Sequence, residues 1–169
     1  MPTIALDAAY AEDGRAAAAA VSADSPAAPP PYAATLATLP LAAPYAPGAF
    51  YQRELPVLLA ALERAPPADL LIVDGYAVLD SAGRPGLGAR LSAALGGGVP
   101  VIGVAKSRFA GDDASIPALR GRSLRPLHVT VSGLDPEQAA EIVRRMAGDA
   151  RMPLLLREAD RAARAALEG

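Results

Sequence analysis

The sequence predicts an α/β domain built on a mixed central β-sheet flanked by helices. Short apolar runs at Leu70–Val73 and Val99–Val104 have the composition of strands buried on both faces. Between them, Leu87–Leu95 carries apolar residues at helical spacing and ends at three glycines. Strand, helix and strand in this order form a βαβ unit, which predicts two parallel neighbouring strands.

Two charged residues follow these strands. Asp74 ends the first strand, and Lys106 comes just after the second. Because ligands gather at the carboxyl ends of parallel strands, the pair is a candidate site. The alternatives are a solvated Asp-Gly turn and an ordinary surface cation. Lys106 is the only lysine among sixteen basic residues, which favours a specific role for its compact ammonium group.

Three predicted strands open the chain, at Thr3–Tyr10, Arg15–Ala23 and Tyr32–Leu41. A Glu-Asp-Gly turn separates the first two, so we expect them to pair antiparallel. Asp7 lies within the first strand, where an unpaired buried carboxylate is costly. Asp7 therefore either faces solvent or has a partner such as a metal ion.

A helix is predicted over Phe50–Arg64, with Glu54 in its first turn. Its apolar stripe is formed by Leu55, Leu58, Leu59 and Leu62. Glu54 lies one residue from that stripe. A carboxylate at this position either stabilises the helix dipole or is aimed at the edge of the sheet.

The last third of the chain predicts a polar loop, a strand and two helices. The loop spans Arg108–Arg125, and the strand spans Leu127–Val131. Asp135 caps the first helix, which runs to Met146. In the final helix, Asp160 lies along a weak apolar stripe.

Composition limits the function classes. A length of 169 residues suits a single domain over residues 1–169. The absence of cysteine excludes disulfides, thiolate metal sites and cysteine nucleophiles, and the sequence contains neither a P-loop nor a zinc motif. No apolar run reaches the length of a membrane span, and the first residues lack a charged signal region, so we expect no membrane association and a cytoplasmic protein.

Charge is distributed unevenly along the chain. The overall net charge of −2 argues against strong non-specific binding to nucleic acid. Residues 1–80 carry three basic and nine acidic side chains, whereas residues 81–125 carry seven basic and two acidic ones. This suits a site in which carboxylates hold a metal ion and cations hold phosphate, and it equally suits an ordinary mixed surface.

The predicted topology brings two acidic residues together. An antiparallel start followed by a parallel strand can place the first and fourth strands side by side, with Asp7 and Asp74 at one end. Two carboxylates so close need a cation, and oxygen-only ligation selects Mg²⁺ or Mn²⁺. With Lys106 balancing phosphate charge, such a metal can support phosphodiester hydrolysis, the chemistry of the ribonuclease H-like nucleases.

A rigid turn at residues 44–48, with the sequence PYAPG, presents Tyr45 between two prolines. A ring held in this way loses little entropy when it stacks on a ligand. The alternative is a tyrosine packed beneath a loop.

The chain resembles the endonuclease V family, which nicks DNA or RNA near deaminated bases such as inosine. The segments that carry the resemblance are ALDAAY at 5–10, PYAPG at 44–48, RELP at 53–56, IVDG at 72–75, GVAKSR at 103–108 and RMPLLLREAD at 151–160. The resemblance implies a ribonuclease H-like fold and a Mg²⁺-dependent endonuclease of nucleic-acid repair, in which Mn²⁺ can substitute. It further implies 3′-hydroxyl and 5′-phosphate ends, DNA or RNA as partner, and a monomeric protein.

The resemblance also implies roles for individual residues. Asp7, Glu54 and Asp74 match the metal-binding, catalytic carboxylates, and Lys106 matches the catalytic lysine. Asp160 matches a position close to the metal where relatives carry His or Asp. The residues expected at the nucleic acid are Pro44, Tyr45 and Pro47 of the wedge motif, Gly75, Tyr76 and Gly103 around the base pocket, and Ser107 and Arg108 after the lysine.

Two departures from the family pattern concern the base pocket. Tyr76 stands where a small or polar residue is usual, and the family's Ser-Pro-Gly-His is reduced to residues 131–134, VSGL. These departures keep open a nuclease of another specificity. Two further alternatives are a nucleic-acid-binding relative without turnover, against which the retained carboxylates count, and a small-ligand α/β domain, for which the sequence offers only the βαβ unit.

Overall fold

The computed structural model describes residues 1–44, 46–47, 49 and 51–169. Strands and helices follow one another through these residues much as the periodicities predict. In chain order they are β1 (Thr3–Tyr10), β2 (Ala16–Ala23), β3 (Ala33–Leu39), α1 (Tyr51–Leu62), β4 (Leu70–Asp74), α2 (Leu87–Ala94), β5 (Val101–Ala105), β6 (Ile116–Ala118), β7 (Leu127–Ser132), α3 (Pro136–Arg145) and α4 (Leu154–Glu168).

The strands form one mixed sheet in the order β3-β2-β1-β4-β5-β7-β6. Strand β4 pairs in parallel with β1 on one side and with β5 on the other. The remaining pairs are antiparallel. The predicted βαβ unit and the predicted neighbourhood of the first and fourth strands are therefore both confirmed.

Helices cover both faces of the sheet. On one face, α3 and α4 pack against strand residues such as Ala5 and Ile72. On the other, α1 and α2 cover Ile4, Leu6 and Val73, which alternate with the first set along the strands. This arrangement confirms the α/β fold class. None of the helices in the described part of the chain has the length and apolar character needed to cross a bilayer.

Strand β2 is built almost entirely of alanine. Ala16–Ala20 are fully buried, and both α1 and α4 contact this strand, one from each face. Small side chains let both helix backbones approach the sheet closely, so a sequence that favours helix is held as a strand by pairing with β1 and β3.

The structure differs from the predictions in two places. The segment expected to be loop over Arg108–Arg125 contains the short strand β6, which pairs with β7. The predicted stripe of α1 is wrong in phase, because the buried residues of this helix are Glu54, Val57, Leu58 and Ala61. Glu54 thus begins the buried face instead of lying beside it.

Candidate active site

Strand pairing places Asp7 and Asp74 at one end of the sheet. Leu6 of β1 is the register partner of Val73 of β4, so the next residue on each of these parallel strands is a carboxylate. Asp74 is the last residue of β4, and one Asp7 oxygen accepts a hydrogen bond from the Ala8 N–H at 2.8 Å. The predicted juxtaposition of the two aspartates is therefore present.

Glu54 approaches the same place from α1. Its side chain lies in the first turn of the helix and is only 8% exposed. Both Asp7 and Asp74 are close enough to raise the pKa of Glu54. A carboxylate that served only the helix dipole would be solvated, so the burial favours the interpretation in which Glu54 is aimed at the sheet.

Burial raises the pKa of all three carboxyl groups, and the charge of neighbouring carboxylates adds to it. Burial, reinforced by Asp74 and Asp160, raises the pKa of Asp7 to about 7 against the opposing effects of the Ala8 N–H and Lys106. Burial, reinforced by Asp7 and Asp74, raises the pKa of Glu54 to about 8. Burial also raises the pKa of Asp74, although Lys106 opposes it. The cluster is short of positive charge.

Lys106 and Asp160 complete the group predicted from the sequence. The Lys106 Nζ lies 3.8 Å from an Asp74 carboxylate oxygen, and the lysine side chain is 56% exposed. Asp160, on α4, raises the pKa of Asp7 and Asp74 by its charge. It also accepts a hydrogen bond at 2.9 Å from the Nε of Arg164, one turn along the helix.

A divalent cation fits the chemistry of these donors. The oxygens come from carboxylates, which Mg²⁺ and Mn²⁺ prefer, and their raised pKa values reflect a deficit of positive charge that such an ion would remove. Within the described residues, however, no three acidic, histidine or cysteine side chains converge closely enough to form a finished metal cage. Ion binding would have to draw the carboxylates together.

A cavity of about 480 Å³ adjoins Glu54 and Asp74. Gly75 and Tyr76 line it, and their predicted contact with a base stays a prediction. Sequence analysis did not identify the remaining lining residues, which are Tyr51, Leu79, Arg84, Pro85, Gly86, Leu87, Arg90 and Phe109. The arginines belong to the basic middle segment, and that local excess of charge was the signal that could have found them.

Aromatic rings and guanidinium groups that contact one another shape this cavity. The Arg90 guanidinium lies 3.6 Å from the centre of the Tyr51 ring, and that of Arg84 lies 5.8 Å from the Phe109 ring. The rings of Tyr76 and Phe109 meet edge to face with centres 6.0 Å apart. The walls are therefore aromatic and positively charged, next to a negatively charged cluster.

Gly103, on β5, packs directly against the chain segment that lines the cavity. A Cβ at this position would lie 2.3 Å from the Ala77 amide nitrogen and 2.6 Å from the Gly75 carbonyl oxygen. Only glycine lets β5 pack this closely against the segment after β4. Gly103 is not among the residues that line the cavity, and its predicted contact with a base stays a prediction.

The other predicted nucleic-acid contacts come from two separate segments of the chain. Ser107 and Arg108 are exposed directly after Lys106, and Arg108 donates a hydrogen bond at 2.7 Å to the Asp112 carbonyl oxygen. Pro44 and Pro47 are exposed, whereas Tyr45, the proposed wedge residue, lies outside the described residues. The roles of all five residues stay predictions.

Comparison with known proteins links the chain to one family. The sequence model described as Endonuclease V matches residues 3–134. A curated endonuclease V from Streptomyces avermitilis is 34% identical over 146 residues, a region that covers 74% of this chain and 62% of that protein. The chain thus spans less than two thirds of this relative's length.

Solved structures agree with the sequence comparison. A crystal structure of endonuclease V from Streptomyces avermitilis is 30% identical and has a TM-score of 0.85, with coverage of 99% of this chain and 82% of that one. A Ciona intestinalis endonuclease V, in complex with a 24mer DNA containing an inosine followed by a ribo-adenosine, has a TM-score of 0.82 at 17% identity and covers 99% and 86% of the two chains. Endonuclease V structures have the ribonuclease H-like fold, which confirms that prediction.

Proposed function

The chain belongs to the Endonuclease V family, and from that premise we propose that it is a metal-dependent endonuclease acting near deaminated bases, such as inosine, in DNA or RNA. The similarity to an endonuclease V solved with inosine-containing DNA supports this choice of substrate. The cleavage would leave 3′-hydroxyl and 5′-phosphate ends.

The observation that carries the proposal is the meeting of carboxylates from separate segments beside a lone lysine. Asp7, Glu54 and Asp74 come from two strands and a helix far apart in sequence, and their mutual repulsion costs stability. Perturbed groups of this kind gather at functional sites.

We assign the carboxylates to the metal. Asp7, Glu54 and Asp74 would hold Mg²⁺, which Mn²⁺ can replace, and Asp160 would join them from α4. When bound, the metal would supply an activated water molecule and neutralise charge on the scissile phosphate. The carboxylates position that chemistry, because they are carried by the ends of a rigid sheet and a packed helix.

Lys106 would stabilise the charge that develops on the phosphate. The lysine side chain is 56% exposed, and its ammonium group lies 3.8 Å from an Asp74 oxygen. It can therefore reach a phosphate oxygen while it stays beside the carboxylates. A preorganised cation at this position stabilises the transition state more than the ground state.

The cavity would receive the deaminated base. A base must leave the stack to enter a pocket, and aromatic walls such as Tyr76 and Phe109 can then contact its flat faces. Arginine donors suit the oxygen and nitrogen acceptors on the edge of an oxo-purine. Pro44, Tyr45 and Pro47 would separate the strands beside it, with Ser107 and Arg108 along the backbone.

The test incubates the purified chain with Mg²⁺ and labelled DNA and RNA oligonucleotides that carry a single inosine. Undamaged oligonucleotides of the same sequence serve as substrate controls. Asp74→Asn removes the charge at the carboxyl end of β4, and Asp69→Asn makes the same change at the other end of that strand. We expect one nick near the inosine, retained in Asp69→Asn and reduced at least about a thousandfold in Asp74→Asn.

Each other outcome removes part of the proposal. Cleavage that ignores the base would keep the metal site and reject inosine specificity. Binding of the oligonucleotides without any nick, in Mg²⁺ and in Mn²⁺, would identify a binding relative without turnover. Equal activity of the wild type and Asp74→Asn would reject the assigned carboxylates.

A further inference from the structure

Two loops form the outer rim of the cavity, and side-chain hydrogen bonds join them. The first loop follows β4 and includes Tyr76, and the second follows β5 and Lys106 and includes Phe109. The two loops share no strand pairing at this point. The geometry of the rim therefore depends on side-chain contacts.

The Tyr76 hydroxyl makes the central contact. It accepts a hydrogen bond from the Phe109 N–H at 2.8 Å. Its own proton can go to the Ser107 carbonyl oxygen at 3.2 Å or to an Asp112 carboxylate oxygen at 3.1 Å. These hydrogen bonds of the Tyr76 hydroxyl all go to the second loop, so a ligand in the cavity would contact the ring of Tyr76.

Asp112 anchors the other side of this contact. Its side chain is 3% exposed and accepts hydrogen bonds from the Ala114 N–H at 3.0 Å and the Ser115 N–H at 2.9 Å. The Ser115 hydroxyl donates to the carboxylate oxygen that Tyr76 also reaches. These bonds hold the pKa of Asp112 below its usual range although burial acts in the opposite direction.

A second pair of hydrogen bonds, apart from those of Tyr76, also joins the two loops. Asp113 accepts hydrogen bonds from both the N–H and the hydroxyl of Ser81, at 2.7 and 2.6 Å. Ser81 lies further along the first loop, so the two loops are joined at both ends of the rim. This second pair of hydrogen bonds is exposed, whereas the Tyr76 contact borders the cavity.

We propose that Tyr76 is a positioning residue whose hydroxyl holds the second loop in place, so that Phe109 forms a wall of the cavity that distinguishes inosine from ordinary bases. This inference rests on the proposed function and deepens it. The hydrogen bonds of the Tyr76 hydroxyl to the second loop thus act as a latch on the cavity. The selectivity between bases depends on this latch.

The latch affects the selectivity between bases because it joins two loops whose relative position sets the shape of the cavity. Releasing it leaves the carboxylates and Lys106 on their strands, but it frees the Phe109 backbone and ring to move away from the cavity. A looser wall accepts an ordinary base with less penalty and stacks less well on the correct one.

The experiment removes one oxygen atom at each of two tyrosines. Tyr76→Phe deletes the latch and keeps the ring. The matched control, Tyr32→Phe, deletes a hydroxyl that donates to the Ala28 carbonyl oxygen at 2.9 Å, at the opposite end of the sheet. One readout is hydrogen exchange of the amides of residues 107–115. The other is the inosine preference, which is the Kd of single-stranded DNA containing adenine divided by the Kd of the strand containing inosine. Both Kd values are measured by anisotropy without divalent metal.

In Tyr76→Phe we expect faster exchange at residues 107–115 and a loss of inosine preference of about three- to tenfold. Tyr32→Phe should match the wild type in both. Unchanged exchange in Tyr76→Phe would overturn the latch, and faster exchange with unchanged preference would overturn its role in selectivity. A wild type that lacks any inosine preference would instead reject the proposed substrate, while the exchange data would still judge the latch.

Discussion

Two regions of this molecule bury charge in opposite ways. At the carboxyl ends of β1 and β4, Asp7, Glu54 and Asp74 repel one another and have raised pKa values. Between β6 and β7, Arg120 is only 3% exposed, and its guanidinium group is surrounded by hydrogen-bond acceptors. The first region has too few cationic partners for its carboxylates, whereas the second surrounds its single cation with acceptors.

Arg120 closes the end of α3. Its nitrogens donate to the carbonyl oxygens of Val143 at 2.7 Å and Met146 at 2.9 Å, the last of these just beyond the helix. Further bonds reach Gly148 at 2.9 Å and Arg151 at 3.1 Å. Helix ends leave carbonyl groups without partners, and a cation there also stabilises the helix dipole.

The difference separates structural charge from functional charge. A buried ion with complete hydrogen bonding joins the parts of the fold around it, and its removal leaves polar groups unpaired. A buried cluster of like charges does the reverse, because it weakens the folded state until a ligand balances it. Substitutions in the two regions should therefore change different properties.

Outside the carboxylate cluster, the largest effect is expected for Lys106→Gln. Loss of the ammonium group near Asp74 should lower the rate of cleavage by about a hundred- to a thousandfold, because a charge that stabilises the transition state is removed. The folded state should change in stability by less than about 1 kcal/mol, since the lysine is exposed. Single-turnover kinetics on an inosine oligonucleotide and thermal unfolding measure the two effects.

Arg145→Gln is the control for this substitution, because Arg145 makes an exposed ion pair with Glu141 on α3. It should retain wild-type activity. A Lys106→Gln protein that cleaves normally would show that the lysine is an ordinary surface cation.

The second effect concerns stability alone. Arg120→Met should lower the free energy of unfolding by about 3 kcal/mol, because several buried carbonyl groups lose their donors at once. Urea denaturation measures this change. Cleavage per folded molecule at low temperature should stay close to that of the wild type.

Arg122→Met provides the comparison, since Arg122 is two residues away and exposed. It should unfold like the wild type. Equal stability of the Arg120 and Arg122 variants would contradict the structural role of the buried guanidinium group.

The third effect is a pH dependence of stability in metal-free protein. Asp7 and Glu54 have folded pKa values of about 7 and about 8, above their ordinary values of 3.8 and 4.5. Between these limits the folded state holds more protons than the unfolded state, so stability falls as pH rises. Each group can contribute a slope of up to about 1.4 kcal/mol per pH unit.

Urea denaturation between pH 5 and 8 in the presence of a chelator measures this slope. Glu54→Gln should flatten it, whereas Glu63→Gln, just beyond the same helix, should leave it unchanged. Added Mg²⁺ should restore more stability at pH 8 than at pH 5. A metal-free stability that rises over this range would contradict the repulsion between the carboxylates.

Much of the framework could be predicted from local patterns. The apolar runs and turn residues were sufficient for the strands around Asp7 and Asp74, and the βαβ rule was sufficient for their parallel neighbours. The short strand β6 was missed, because three residues ending in a proline and an alanine carry no periodicity that distinguishes a strand from a loop. Tertiary pairing with β7 decided it.

The sequence by itself determined the alternation of strands and helices, the adjacency of Asp7 and Asp74, and the position of Lys106 at a strand end. Only the tertiary structure decided that Glu54 heads the buried face of α1 and that the Tyr76 hydroxyl is committed to a neighbouring loop. The physical reason is the range of each interaction. Periodicity follows from neighbouring residues, and general rules of chain connection extend it to the order of the main strands, whereas the rotation of a helix and the contacts of a loop are set by how distant surfaces pack.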